Sequence, residues 1–338
     1  MTDSRNASFG WSVPLVLIAF ALVPVAAGLV GDSYLITLFS RIIVFAIAAA
    51  GLNLLLGHAG QVSLGHGLYI GVGVYAVGIL SYHGIGNGWL HLAAGVISCA
   101  LLAWVIGTIS LKTQGISFLM ITLAFAQMGY FFVVSLRTYG GDDGMALSGR
   151  SDFGLVDFND NETGFYFLCL AVLALILLLT LRIVRSPFGL VLSATRQNEK
   201  RAAATGFAVS RYKLIAYVVS AVVCALAGIL QANLFRYASP ASMSWLFSGE
   251  LIVMIVVGGM RSVIGPVVGA VVLVLVEEAV SSLHLGLPGG LDGILAERWM
   301  LLLGLFIVAA SFFNSGIMGA LDRVRPASDE APKSGGQP

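Results

Sequence analysis

Apolar stretches of about 20 residues recur along the whole chain, and each is long enough to cross roughly 30 Å of hydrocarbon as a helix rising about 1.5 Å per residue. They fall at 11–30, 35–56, 62–81, 89–110, 116–135, 163–182, 213–235, 245–258, 263–283 and 297–313. Lipid offers the backbone no hydrogen-bond partner, so such runs must close their own hydrogen bonds as helices. The expected fold is all-α and polytopic, with about ten transmembrane helices. Composition agrees: 58% of the 338 residues are hydrophobic and 10% charged, with a mean hydropathy of +0.94, more apolar surface than a soluble core can bury. Cys99, Cys169 and Cys224 each lie inside an apolar run and suggest neither a disulfide framework nor a metal site. The run at 11–30 exceeds the roughly 7 to 15 apolar residues of a signal peptide and is taken as a span.

Basic residues set the orientation. The segment 182–213 carries Arg182, Arg185, Arg196, Lys200, Arg201, Arg211 and Lys213 against a single acid, Glu199, and such loops stay in the cytoplasm. Counting spans outward places both termini, Lys112 and Arg261 inside as well. The expected organisation is a short cytoplasmic N-terminus at 1–10, a transmembrane domain at 11–313 and a polar, disordered cytoplasmic tail at 314–338. Within the domain, the acidic loop 136–162 lies outside and the basic loop 185–212 inside. This describes a multi-pass protein of a bacterial cytoplasmic (inner) membrane.

Residues 51–80 mix glycines with Asn53, His58, Gln61, Ser63, His66, Tyr69 and Tyr75 at membrane depth. Such polar groups are costly against lipid, and the glycines weaken a regular helix. One reading is a broken or re-entrant helix near 57–66 that lines a translocation path, with Asn53, Gln61, Ser63, His66 and Tyr69 as candidates. The other is a close-packing face at which Gly67, Gly71 and Gly78 let helices approach. His58 and His66 have no Cys, Asp or Glu nearby and are not read as metal ligands. Glu250, Glu277 and Glu278 fall towards the outer ends of their spans, where bracing a helix competes with proton coupling. In the basic loop, Pro187 and Gly189 fit an entry turn, Leu190–Thr205 a short helix and Gly206 its C-terminal cap. A faint internal echo links Leu64-Gly65-His66-Gly67 with Ile264-Gly265-Pro266.

Four long segments carry a family resemblance: GLNLLLGHAGQVSLGHG from 51, GISFLMITLAFAQMGYFF at 115–132, RSPFGLVLSATRQNEKRAAATGFAVSRYKL from 185 and SGELIVMIVVGGMRSVIGPVVGA at 248–270. In this order they resemble the branched-chain amino acid ABC permeases of the LivM type, from about Arg41 to Val308. The resemblance implies an importer subunit that pairs with a homologous permease, two cytoplasmic ATPases and an extracytoplasmic substrate-binding protein, and it implies no cofactor on this chain. It also implies that Arg196–Gly206 is the helix coupled to the ATPases, with Arg196, Glu199, Arg201, Ala202, Ala203 and Gly206 as its candidate residues. The external signature departs from the family pattern by Tyr139, within Thr138-Tyr139-Gly140-Gly141-Asp142-Asp143-Gly144.

Permeases with similar motifs serve urea, short amides and aromatic acids, so the resemblance narrows the cargo to a small polar nutrient with branched-chain amino acids leading. An ion-coupled secondary transporter is the competing class, with Glu250 and Glu277 as coupling groups. No phosphate-binding Gly-Lys-Ser or Gly-Lys-Thr loop and no paired acid and base suggest an enzyme, so ATP hydrolysis is expected on separate subunits.

Overall fold

The computed structural model describes residues 13–31, 33–154, 158, 159, 161–260, 262–281 and 304. The leader 1–10, the expected span at 297–313 apart from Gly304, and the tail 314–338 lie outside the described residues. In chain order the helices are α1 (Val23–Val30), α2 (Tyr34–Asn53), α3 (His66–Tyr82), α4 (Gly88–Ser110), α5 (Ile116–Ser135), α6 (Glu162–Arg185), α7 (Pro187–Gln197), α8 (Glu199–Ala204), α9 (Val209–Phe235), α10 (Trp245–Gly258) and α11 (Gly265–Ser281). A π-helix, Leu54–Ala59, continues α2.

Among the described residues, five helices are long and apolar enough to cross a membrane: Tyr34–Ala59, Gly88–Ser110, Ile116–Ser135, Glu162–Arg185 and Val209–Phe235. The other expected spans within the described residues appear as shorter apolar helices. The first is interrupted rather than continuous. Helix runs from 13 to 21, turns at Leu22 and resumes as α1. Pro24 has no N–H to donate to the Phe20 carbonyl one turn back, and the Tyr166 hydroxyl of α6 donates to that carbonyl instead at 2.6 Å. The helix ends at Gly31, in the left-handed conformation.

Helices α2 and α9 form the centre of the bundle and are mostly buried, whereas α4, α5 and α6 keep most of their surface exposed. Ile97, Leu101 and Trp104 on α4, Met128, Phe131 and Phe132 on α5, and Leu175 and Leu178 on α6 point outward, as a lipid-facing ring requires. The α3–α9 crossing depends on reciprocal glycines. A Cβ on Gly73 would strike the Ala225 carbonyl, and one on Gly228 would strike the Ile70 carbonyl. Without these side chains the two backbones approach closely, the usual means of association where lipid is as apolar as the core. Gly258 and Gly269 do the same where α10 meets α11.

Side-chain caps fix several helix starts: Asn87 accepts from the N–H groups of Trp89 and Leu90, Asn161 from Gly164, and Ser244 from Phe247. At the end of the bundle that holds residues 83–88, the described part of the acidic loop, residues 136–154, 158, 159 and 161, is folded onto the helices. A two-residue antiparallel pairing joins Met145 to Ala238 and Ala146 to Tyr237. Asp152 exchanges backbone hydrogen bonds with Gly86 (2.8 Å) and Gly88 (2.6 Å). Arg150 donates to the carbonyls of Phe158 (2.7 Å) and Asn233 (3.2 Å) and lies over the Phe165 ring, 4.7 Å from its centroid. Burial, with the Arg236 charge second, lowers the Arg150 guanidinium from its ordinary value.

Candidate translocation site and coupling segment

The glycine-rich segment after α2 does break. The helix widens into the π-helix, the chain turns through Gly60 in the left-handed region (φ 72°), and α3 begins only at His66. The expected span 62–81 thus starts four residues late, because 60–65 are not helical. Ser63 sets the restart: its hydroxyl accepts from the Gly65 N–H at 3.2 Å. A second break follows α10, where Gly259 takes φ 115° and the Ser262 hydroxyl accepts from the Ile264 N–H at 3.3 Å. The echo between the two segments therefore has structural content: each is a glycine turn, then a serine whose hydroxyl accepts from the N–H two residues on, then a helix.

The two breaks touch. Asn53 donates to the Ser262 carbonyl at 3.0 Å, and Gly57 packs so closely that a Cβ there would strike the Met260 carbonyl. The sequence candidates on this segment are enclosed. Asn53, Gln61, Ser63, His66 and Tyr69 are all buried, and Ser63, His66 and Tyr69 fully so. Ser220 on α9 donates to the Gly51 carbonyl at 2.7 Å, so its oxygen accepts from His66 Nε2 at 2.9 Å. His66 Nδ1 then accepts from the Ser63 hydroxyl at 3.1 Å. A neutral His66 with its hydrogen on Nε2 is consistent with this chain of contacts. Tyr69 donates to the Tyr217 hydroxyl at 2.8 Å, and the rings of His66, Tyr69 and Tyr217 meet edge to face with centroids 5.6 to 5.8 Å apart. In this conformation His66 and Tyr69 clamp α3 to α9.

Asn53 Oδ1 and Gln61 Oε1 differ from these, being buried with no hydrogen-bond partner among the described residues. An unpaired buried acceptor costs about 1–3 kcal/mol. On the opposite side of the turn, Gly60 and Val62 are exposed.

The basic loop forms helix, but not one continuous helix over Leu190–Thr205. Helix α7 starts at Pro187, capped by Ser186, and ends at Gln197. Asn198 is extended and caps α8 by accepting from the Arg201 N–H at 3.0 Å. Asparagine competes with helical hydrogen bonding and favours such caps, and that signal sits inside the stretch read as one helix. Gly206 follows α8 with φ 92°, as its expected terminating role requires.

The six coupling candidates divide between two faces. Arg196 reaches inward and donates to the Gly57 carbonyl. Glu199 accepts from Lys213 at 2.6 Å and from Gln114 at 2.9 Å, and Ala202 is buried. Arg201, Ala203 and Gly206 are exposed, together with Lys200, Ala204 and Phe207. The ion pair is not readable from sequence, where Lys213 is one of several basic residues in the segment 182–213. Its side chain is 7% exposed, inside the first turns of α9.

Two of the three intramembrane acids, Glu277 and Glu278, are braced. Glu277 pairs with Arg41 at 2.8 Å, and Glu278 accepts from the Tyr34 hydroxyl at 2.7 Å, tying α11 to α2. Tyr139, the departure in the external signature, packs edge to face on Tyr82 (5.5 Å) and contacts His83 Nε2 through its hydroxyl at 3.2 Å. A cavity of about 330 Å³ at this end is lined by Asn87, Trp89, Asp152 and Phe153, and an apolar groove of about 270 Å³ lies between Phe20, Phe39 and Val267. Neither adjoins the break. Among the described residues no three His, Cys, Asp or Glu side chains converge as a metal site would need.

Both breaks and the coupling segment lie within one family match. The model of the "Branched-chain amino acid transport system / permease component" family matches residues 34–311. The chain is 26% identical over 288 residues to the high-affinity branched-chain amino acid transport system permease protein LivM of Escherichia coli (strain K12), covering 78% of this chain and 68% of the relative. It is also 26% identical over 257 residues to the corresponding LivH protein of the same organism, covering 71% of this chain and 82% of the relative. No solved structure matches at the same stringency. With most of its length matched, and the matched region containing every candidate site residue, the chain belongs to the branched-chain amino acid transport system permease family.

Proposed function

We propose that this chain forms one half of the membrane path of an ATP-driven importer for branched-chain amino acids. The observation that carries the reading is the continuity of the family match across residues 34–311, which takes in the break at 60–65 and the helices α7 and α8. The path runs along the break. Gly60 and Val62 offer its exposed side, while the unpaired oxygens of Asn53 and Gln61 are acceptors suited to water or to a substrate ammonium group. Ser63, His66 and Tyr69 hold the wall of the path in shape. A homologous permease covers the exposed turn, as the likeness to two differently named permease proteins supports.

The exposed face of α8, with Arg201, Ala203 and Gly206, seats in a cytoplasmic ATPase, one of two, and an extracytoplasmic binding protein delivers substrate to the opposite end. This chain is a transport subunit without a cofactor, and hydrolysis occurs on the ATPases. About ten spans with both termini in the cytoplasm remain the topology that the charge distribution supports.

Deleting the ATPases encoded or purified with the permease tests the reading. Accumulation of labelled leucine, isoleucine and valine is expected to cease. Accumulation that persists on a proton gradient would instead favour a secondary transporter. The bracing of Glu277 by Arg41 already gives that carboxylate a structural role.

A further inference from the structure

Helix α7 packs against the π-helix at the break, and the Arg196 side chain bonds to it. Arg196 Nη1 donates to the Gly57 carbonyl across 139 residues of sequence. That carbonyl belongs to the last turns of the π-helix, where helix carbonyls lack a partner further along the chain and where a cation complements the helix dipole. The aliphatic stem of Arg196 lies on Gly60, whose missing Cβ would sit 2.7 Å from Arg196 Cγ. Gly60 is thus required twice, for its positive φ and for this contact.

On its other side the π-helix meets the second break, through Gly57 against the Met260 carbonyl and Asn53 to the Ser262 carbonyl. At the cytoplasmic end, α7 is fixed to α8 by the Asn198 cap, and α8 to α9 and to Gln114 by Glu199. The Arg196 guanidinium therefore adds a polar link to the packing between α7 and the point at which both breaks meet.

We propose that Arg196 is a positioning residue that transmits displacement of α7 and α8 to the break at 57–65, and through Asn53 to the turn at Ser262, so that nucleotide state controls access to the path. The proposal rests on the importer reading above. It differs from a role in seating the ATPase, because Arg196 points at the membrane segment and not away from it.

The test uses the complete transporter in proteoliposomes and measures substrate imported per ATP hydrolysed, a ratio insensitive to how much complex assembles. Arg196→Met keeps the stem over Gly60 and removes the donor. The ratio is expected to fall about fivefold or more, while ATP hydrolysis per complex continues. Arg196→Lys, which restores a charged donor, is expected to recover at least about half of the loss. A ratio within about twofold of wild type in Arg196→Met, or a Lys variant no better than Met, overturns the proposal. Should Arg196→Met fail to assemble, Arg196→Gln, which keeps a shorter neutral donor, is compared with wild type: a ratio lowered by about fivefold or more is expected and an unchanged one refutes. Wild-type uptake with and without the ATPases is measured in parallel, so failure of the importer reading is seen separately.

Discussion

The ion pair between Lys213 and Glu199 predicts an asymmetry that mutation can expose. The Lys213 side chain is 7% exposed and that of Glu199 35%, with the two atoms 2.6 Å apart. Glu199→Gln leaves a buried ammonium without its counter-charge. Removing one partner of a fully buried pair costs about 3–5 kcal/mol, and water reaching the Glu199 side reduces that here to about 2–3 kcal/mol. Lys213→Met removes the buried charge and keeps most of the stem volume. It leaves Glu199 partly hydrated and still bonded to Gln114, at a cost of about 0–1 kcal/mol.

The difference, at least about 1 kcal/mol, is roughly a fivefold or greater change in the unfolding equilibrium. Reversible denaturant unfolding of the purified protein in mixed micelles, followed by tryptophan fluorescence at neutral pH, measures both variants against wild type. Equal losses, or a larger loss for Lys213→Met, would refute the argument that burial of the ammonium dominates. Function should rank differently. Both variants free α8 from α9, so both are expected to lower ATP-driven uptake even where Lys213→Met unfolds like wild type.

Gly73→Val drives a side chain into the Ala225 carbonyl of α9, a backbone atom that cannot turn aside. The expected loss is about 3 kcal/mol or more, seen as a lower yield of monodisperse protein and an earlier unfolding midpoint; wild-type behaviour would contradict the close crossing of α3 and α9. Ala203→Trp enlarges the exposed face of α8 and is expected to abolish uptake while membrane insertion and protein level stay normal. A cysteine replacing Asp143 should react with a membrane-impermeant maleimide on intact cells, and one replacing Lys200 only after permeabilisation. The native thiols are buried and contribute little background, so reversed labelling would overturn the orientation.

What could be read from sequence followed from how local each signal is. Within the described residues, the apolar runs at 89–110, 116–135, 163–182 and 245–258 map onto helices within a few residues at each end, because span length is a property of each run alone. The break near 57–66 was legible from glycines and polar groups placed where lipid forbids them. Its internal order was not. His66 finds Ser220 at a separation of 154 residues and Arg196 finds Gly57 at 139, and nothing in either segment names its partner. The enclosure of Ser63, His66 and Tyr69 shows that a path reading and a packing reading of one segment can apply to different residues of it. Asn198 shows the converse failure: a strong local cap was overlooked because the surrounding residues favour helix. Pro24 was likewise read through, although the carbonyl it leaves open is taken up by Tyr166 from another helix.

The most direct test of the whole account is reconstitution of the permease with its partner permease, ATPases and binding protein in sealed proteoliposomes, with uptake of labelled leucine followed over time. The account predicts accumulation that requires ATP and the liganded binding protein together and that excess isoleucine or valine competes away. Leucine uptake driven by an imposed proton gradient without ATP, or ATP-driven uptake indifferent to all three amino acids, would contradict it.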